Sequence, residues 1–343
     1  MKHRSLLFLM IFIYLGATPV FAQVKGLPKK QKQEQTKPKP KQEQPKPNPE
    51  AKIKPQPPNE NQKEEDFWSF TRDIDTKEAY ESFLSKYPNS KYLSEAEQKI
   101  AELSKPKIDP KYLPEVVYVE GGTFTMGCRE RGSFCSDDEK PAHQVTVSSF
   151  SIGKYPVTVE EYRYYCIQTG IIMPDAPSWG WHDDHPMVYV NWNDTQGYVN
   201  WLSRETGKNY RLPTEAEWEF AARGGNQSRD YNYSGSNTID EAAWYGKERA
   251  GQRTHSVGGK KGNELSLYDM SGNVWEWCQD WYGEDYYNNS PSINPKGPSS
   301  GFSRVLRGGN WFDGTTYCLV AHRHTSHPGN RSDDRGFRIV LSR

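Results

Sequence analysis

A break in composition near residue 64 constrains this 343-residue chain more than any other feature. Residues 23–63 carry 11 Lys, 9 Pro and 4 Glu, with almost no large apolar side chains. Proline removes backbone donors and like charges repel, so the segment is expected to be an extended tether with no core. Its basic run could touch an anionic surface such as peptidoglycan; a solvated spacer is the plainer expectation. Beyond it the chemistry inverts. Residues 64–343 hold 31 Lys and Arg against 40 Asp and Glu, a net of −9, together with all 11 Trp. An acidic folded part argues against nucleic-acid binding, which needs a basic face.

Met1–Ala22 reads as a secretory signal peptide. Lys2, His3 and Arg4 form a basic end, and Leu6–Leu15 is an apolar run too short for the ~20 residues that span a bilayer. Small residues at Val20 and Ala22 suit cleavage before Gln23; an uncleaved anchor is the alternative. The chain is therefore expected to be exported to the periplasm, the cell envelope or the medium, with no transmembrane helix beyond the leader. Export permits disulfides. Five cysteines are present, and Cys128 and Cys135 share one short loop, which makes them the expected pair. Cys166, Cys278 and Cys318 are an odd remainder, so at least one is free or pairs between molecules. A Cys278–Cys318 bond stays open.

Residues 66–105 carry helical signals. Asp75 and Glu78 suit an N-cap and its N3 partner. Tyr80, Phe83, Leu84 and Tyr87 follow at helical spacing, Pro88-Asn89-Ser90 breaks the run, and Leu93, Ala96, Ile100 and Leu103 form a second stripe. This helical hairpin resembles one tetratricopeptide-like unit. A single such unit cannot bury its own face, so it is expected to pack on the main domain or on a partner.

Residues 112–343 are expected to form one α+β domain with little regular secondary structure. Val116–Val119, His143–Ser149 and Phe150–Lys154 read as strands. Capping boxes at Thr158/Glu161 and Thr214/Glu217 start helices, and another starts at Asn193 or Asp194 and ends at Gly207.

Three strings carry the family. They are Arg211–Gly225 (RLPTEAEWEFAARGG), Leu267–Trp277 (LYDMSGNVWEW) and Arg304–Trp311 (RVLRGGNW) with Gly336-Phe337-Arg338. With Gly121–Gly127 (GGTFTMG) they resemble the sulfatase-modifying-factor family, whose domain is that of formylglycine-generating enzymes. The resemblance covers residues 116–341 and implies a variant of the C-type lectin-like fold.

Two metals follow for testing. In LYDMSGNVWEW, Asp269 and Glu276 flank a tight turn, and carboxylates with turn carbonyls are hard oxygen ligands that suit Ca²⁺. The resemblance implies side-chain oxygens from Asp269 and Glu276 and carbonyls from Gly272 and Val274; a capped turn with surface acids is the alternative. The resemblance also implies oxidation of a substrate protein's Cys by O₂ and Cu(I) held between two thiolates. Soft thiolates select Cu(I). Here Asp313 stands where the first thiol belongs, Asn310 replaces a Ser, and Cys318 is the lone thiol. Cu(I) is therefore not expected. Cys318 is the one catalytic candidate, and a buried or disulfide-bonded Cys is its plain reading.

The spacing of His322, His324 and His327, with Asp313 nearby, also invites a metal reading. Trp179, Trp181, Trp192 and Trp311 could line a groove, although Trp is usually largely buried. The ligand-groove candidates are Asn310, Trp311, Asp313 and Arg323. Arg307, Arg323 and Arg338 equally suit buried pairs that fasten loops. No G-x-S-x-G elbow, HExxH or P-loop occurs, so nucleotide binding is not expected. Two functions remain. One is an exported, calcium-stabilised binding or envelope-assembly module whose partner is a protein or cell-envelope ligand. The other is an oxidoreductase of the formylglycine-generating type. A second thiol beside Cys318 would favour the enzyme; a disulfide there would favour the module.

Overall fold

A computed structural model describes residues 59–104, 108–129, 135–247 and 253–342. The chain divides into Met1–Pro57 and Pro58–Arg343, and every described residue falls in the second unit. The leader and nearly all of the tether lie outside the described residues.

The first described segment has three helices where a hairpin was expected. They are α1 (Glu60–Ile74), α2 (Lys77–Lys86) and α3 (Leu93–Leu103). Helix formation thus starts before residue 66. The α1 sequence, ENQKEEDFWSFTRDI, hides its apolar stripe among charges, yet Trp68 is buried. Its ring stacks on Tyr92 at 4.6 Å and packs on Phe83 at 4.8 Å. The extra helix changes the energetics. Trp68, Tyr80, Phe83 and Ala96 form a small core of their own, so the unit does not need another surface to bury its face. The cap also moves. Thr76, not Asp75, accepts from the Ala79 amide at the start of α2, while Asp75 ends α1 in a left-handed conformation and accepts the Tyr80 hydroxyl at 2.8 Å.

The remaining described residues mix short strands with four helices. The strands β1 (Val116–Val119), β4 (Phe150–Gly153), β10 (Val340–Ser342) and β5 (Asn209–Arg211) form one antiparallel sheet in the order β1-β4-β10-β5. A ribbon pairs β2 (Gly122–Met126) with β3 (His143–Val147). A second four-stranded sheet runs β8 (Arg323–Ser326), β7 (Arg304–Arg307), β6 (Trp275–Trp281), β9 (Arg335–Gly336), with β6 and β9 parallel. The last strand therefore closes back onto the first sheet, and the segment before it onto the second.

Both expected capping boxes are present, at Thr158/Glu161 for α4 (Val159–Thr169) and Thr214/Glu217 for α6 (Glu215–Ala222). Helix α5 (Trp192–Thr206) starts earlier than expected. Asn191 is its N-cap and Asp194 its N3 partner, and Gly207 ends it at φ 67°. The short α7 (Ile239–Ala242) follows. Every residue of α6 is buried, including Glu215, Glu217 and Glu219. That is affordable because each has an arginine: Arg323 for Glu215, Arg211 for Glu217, and Arg307 and Arg223 for Glu219. Buried charges persist only when so paired. Cys128 and Cys135 form the expected disulfide, with Cα atoms 5.7 Å apart. Among the described residues no helix is long and apolar enough to cross a membrane.

Candidate functional site

The segment after β7 is built around two glycines in the left-handed region, Gly308 (φ 99°) and Gly309 (φ 75°). At Gly309 a Cβ would come within 2.8 Å of the Cys318 sulfur, so the chain can turn over that thiol only without a side chain. Asn310 then fixes the next turn. Its Oδ1 accepts the amides of Phe312 and Asp313, each at 2.7 Å, and its Nδ2 donates to Asp334 at 3.1 Å. Trp311 donates from Nε1 to the Asp333 carbonyl and packs edge-on against Trp179 at 5.4 Å. Phe312 and Tyr317 are exposed beside it.

Asp313 accepts Trp275 Nε1 at 2.9 Å. Burial holds its carboxyl above the usual range, and neighbouring Asp334 adds to this. Asn310, Trp311 and Asp313 thus share one loop. Arg323, the fourth groove candidate, does not join them. It points inward from the start of β8, where it makes two bonds to Glu215 (2.7 and 2.9 Å) and is 3% exposed. Arg307 and Arg338 are likewise buried and paired.

Cys318 is fully buried. Burial pushes its thiol far above the ordinary range, and the Asp313 carboxylate pushes the same way. Cys166, Cys278 and Cys318 are all free, so no disulfide marks Cys318 among the described residues. A Cu(I) ion needs thiolates. One buried thiol beside a carboxylate that already holds an indole does not supply the two thiolates.

The three histidines diverge. His322 Nδ1 lies 2.8 Å from buried Glu139, His324 packs on Trp275 at 4.9 Å, and His327 on Phe302 at 5.1 Å. Among the described residues, the one group of three ligand-type side chains that converges is Cys128, Cys135 and Glu139. Its two sulfurs are held in the disulfide. Glu139 went unnoticed in sequence, because nothing in Asp137-Asp138-Glu139 separates the buried acid from its exposed and half-buried neighbours.

The Asp269–Glu276 turn fits calcium in part. Asp269 and Asn273 take left-handed conformations, at φ 57° and 65°. A Cβ at Gly272 would meet the Trp244 carbonyl at 2.2 Å. Glu276 has no free carboxylate to offer. Arg338 binds it with two bonds of 2.7 Å, and Trp218 Nε1 donates to it at 2.7 Å. Val274 is buried, and the Gly272 carbonyl accepts the Val274 amide at 2.9 Å. Asp269 differs. It is buried and, among the described residues, accepts from the Gly258 amide at 2.7 Å and Asn273 at 3.3 Å with no ion pair. Burial pushes its carboxyl up to about 6. An ion at this turn would be held by Asp269, without Glu276.

Comparison with known proteins agrees with this frame. The chain is 33% identical over 287 residues to the serine/threonine-protein kinase pkn1 of Chlamydia caviae, covering 76% of this chain but 42% of the kinase. It spans about two fifths of the length of that relative and of a second such kinase. It is 32% identical over 293 residues to the formylglycine-generating enzyme of Streptomyces coelicolor, covering 68% of this chain and 91% of the enzyme. The solved structure of PvdO from Pseudomonas aeruginosa superposes with a TM-score of 0.62 at 31% identity, covering 68% of this chain and 96% of PvdO. The model of the sulfatase-modifying factor enzyme 1-like domain matches residues 102–343, and the chain belongs to that family.

Proposed function

We propose that this protein is an exported binding or envelope-assembly module on a formylglycine-generating-type frame, a C-type lectin-like variant, and not a copper oxidase. The observation that carries this reading is Cys318. It is a fully buried thiol, with Asp313 where the copper chemistry requires a second thiolate. The surface on offer is the loop with Trp311, Phe312 and Tyr317, which presents aromatic side chains beside a carboxylate that, among the described residues, has no Lys or Arg bound to it. Its partner is a protein or cell-envelope ligand, and the tetratricopeptide-like helical unit is a second element for assembly. Calcium enters through Asp269. The leader makes the compartment the periplasm, the envelope or the medium.

The test is an oxidation assay on the full chain with Cu(I), O₂, a reductant and a CxPxR peptide, read by mass spectrometry. We expect no aldehyde, while the Streptomyces coelicolor enzyme converts the peptide in parallel. Conversion by this chain would overturn the proposal and make Cys318 catalytic.

A further inference from the structure

A cleft of about 650 Å³ lies away from the Trp311 loop and shares no lining residue with it. Its walls come from α5, β5, the start of α6, β6 and the end of β10. The volume is ordinary for a small-ligand site. The chemistry of the walls is less ordinary. Asn, Gln and Ser side chains dominate, with Phe150 and Tyr210 behind them. Each amide or hydroxyl can both donate and accept.

The cleft lining carries two cations, Arg211 and Lys296, and one anion, Glu217. Arg211 and Glu217 face each other through two bonds of 2.6 Å. Lys296 makes no ion pair among the described residues. A ligand would therefore meet one unpaired cation, the exposed Lys296 at the rim, beside a neutralised pair and an otherwise uncharged polar wall.

Several of the polar groups are held in place. Gln196 Nε2 donates to Gln279 Oε1 at 3.3 Å, which leaves the Gln279 amide hydrogens and the Gln196 oxygen for a ligand. Asn294 is fixed twice by Ser148, accepting its amide at 2.8 Å and donating to its hydroxyl at 2.9 Å. Arg211 is further tied to Ser342 and to the Leu212 carbonyl. Gln196 and Gln279 stand on a helix and a strand, so their directions are set by rigid elements. Pre-set donors and acceptors avoid the ordering cost that floppy surface side chains would impose on binding.

We infer that this cleft binds a neutral oligosaccharide of two or three sugar units. Vicinal hydroxyls carry a donor and an acceptor on each oxygen, which matches a wall of amides and hydroxyls. Their uncharged character matches a wall in which eight of the fifteen lining residues are Asn, Gln or Ser and the Arg211–Glu217 pair is neutralised. The inference concerns a second site and does not depend on how the Trp311 loop is used.

The experiment is saturation-transfer NMR and calorimetry on the full chain with four probes: the trimer of N-acetylglucosamine, cellotriose, maltotriose and mannotriose. At least one is expected to bind. Asn200→Ala, at an exposed position on α5, and Gln279→Ala should each weaken it by about twofold to tenfold, the range for one lost hydrogen bond. Phe312→Ala, on the other surface, should leave binding unchanged. Absence of transfer to all four sugars at millimolar concentration would overturn the inference. So would binding indifferent to both cleft variants or abolished by Phe312→Ala. None of these failures touches the oxidation assay, so the two readings fall separately.

Discussion

His185 shows how one side chain couples burial to pH. It is buried, donates to or accepts from the Thr254 hydroxyl at 2.9 Å, and stacks on His182 at 4.6 Å. Burial, helped by the charge of His182, lowers its pKa to about 4. Below its ordinary value near 6.5 the unfolded chain takes up a proton that the folded chain refuses. Its contribution to stability is therefore intact above about 6.5 and is lost as pH falls toward 4. His185→Gln should flatten this part of the curve. Urea midpoints at pH 4.5 and 7.5 check it: the gap between the two pH values should shrink in the variant. An unchanged gap would mean that His185 does not titrate with folding. Sequence gave no sign of this residue, because a histidine in His182-Asp183-Asp184-His185 reads as one more polar loop position.

At the scale of the element, α6 is the instructive case. Its start was legible, since Thr214 and Glu217 form the capping box that their spacing suggests. Its environment was not. Glutamates at 215, 217 and 219 lie on opposite sides of a helix and would ordinarily mark a solvated face, yet all are buried. Their arginines come from β5, β7, β8 and the end of α6 itself, positions that no local pattern connects. Glu219→Gln should lower stability by ~3–5 kcal/mol, because Arg307 would be left as a buried charge with weakened pairing. The double variant Glu219→Gln/Arg307→Met should recover part of the loss. Denaturant midpoints of these two variants and of Arg307→Met decide it, and additive effects would show that the pair is not coupled. The same contrast holds in the helical unit. The stripes of α2 and α3 were readable, whereas α1 was missed, because Trp68 and Phe67 are embedded in a run of Glu, Lys and Asp.

For the whole molecule, the question is what orders so much irregular backbone. Disulfide, buried ion pairs and dense aromatic packing each contribute, and calcium at Asp269 is the proposed addition. An ion bound to the native state stabilises it by mass action. At a calcium concentration a hundredfold above Kd this is about 2.7 kcal/mol, or roughly 5–10 °C in Tm for a domain of this size. Removing calcium with a chelator should lower Tm by that order in the native sequence and leave Asp269→Asn unmoved. A Tm indifferent to calcium in both would remove the ion from the proposal. Glu276→Gln, by contrast, should destabilise the protein with or without calcium, since its carboxylate is occupied by Arg338.

The amino-acid sequence determined the family, the α+β class, the helix caps at Thr158 and Thr214, and the Cys128–Cys135 bond. These rest on contiguous motifs or on residues a few positions apart, where the chain's own geometry brings the partners together. Tertiary structure decided the fate of Arg323, Glu276, Glu139 and Cys318. It turned Arg323 from the groove to Glu215, closed Glu276 on Arg338, hid Glu139 against His322, and buried Cys318 under Gly309. For Arg323, Glu276 and Glu139 the deciding partner is distant in sequence. Whether a charge or a thiol is available for chemistry depends on desolvation and on that partner, and neither is written in the residue's own neighbourhood.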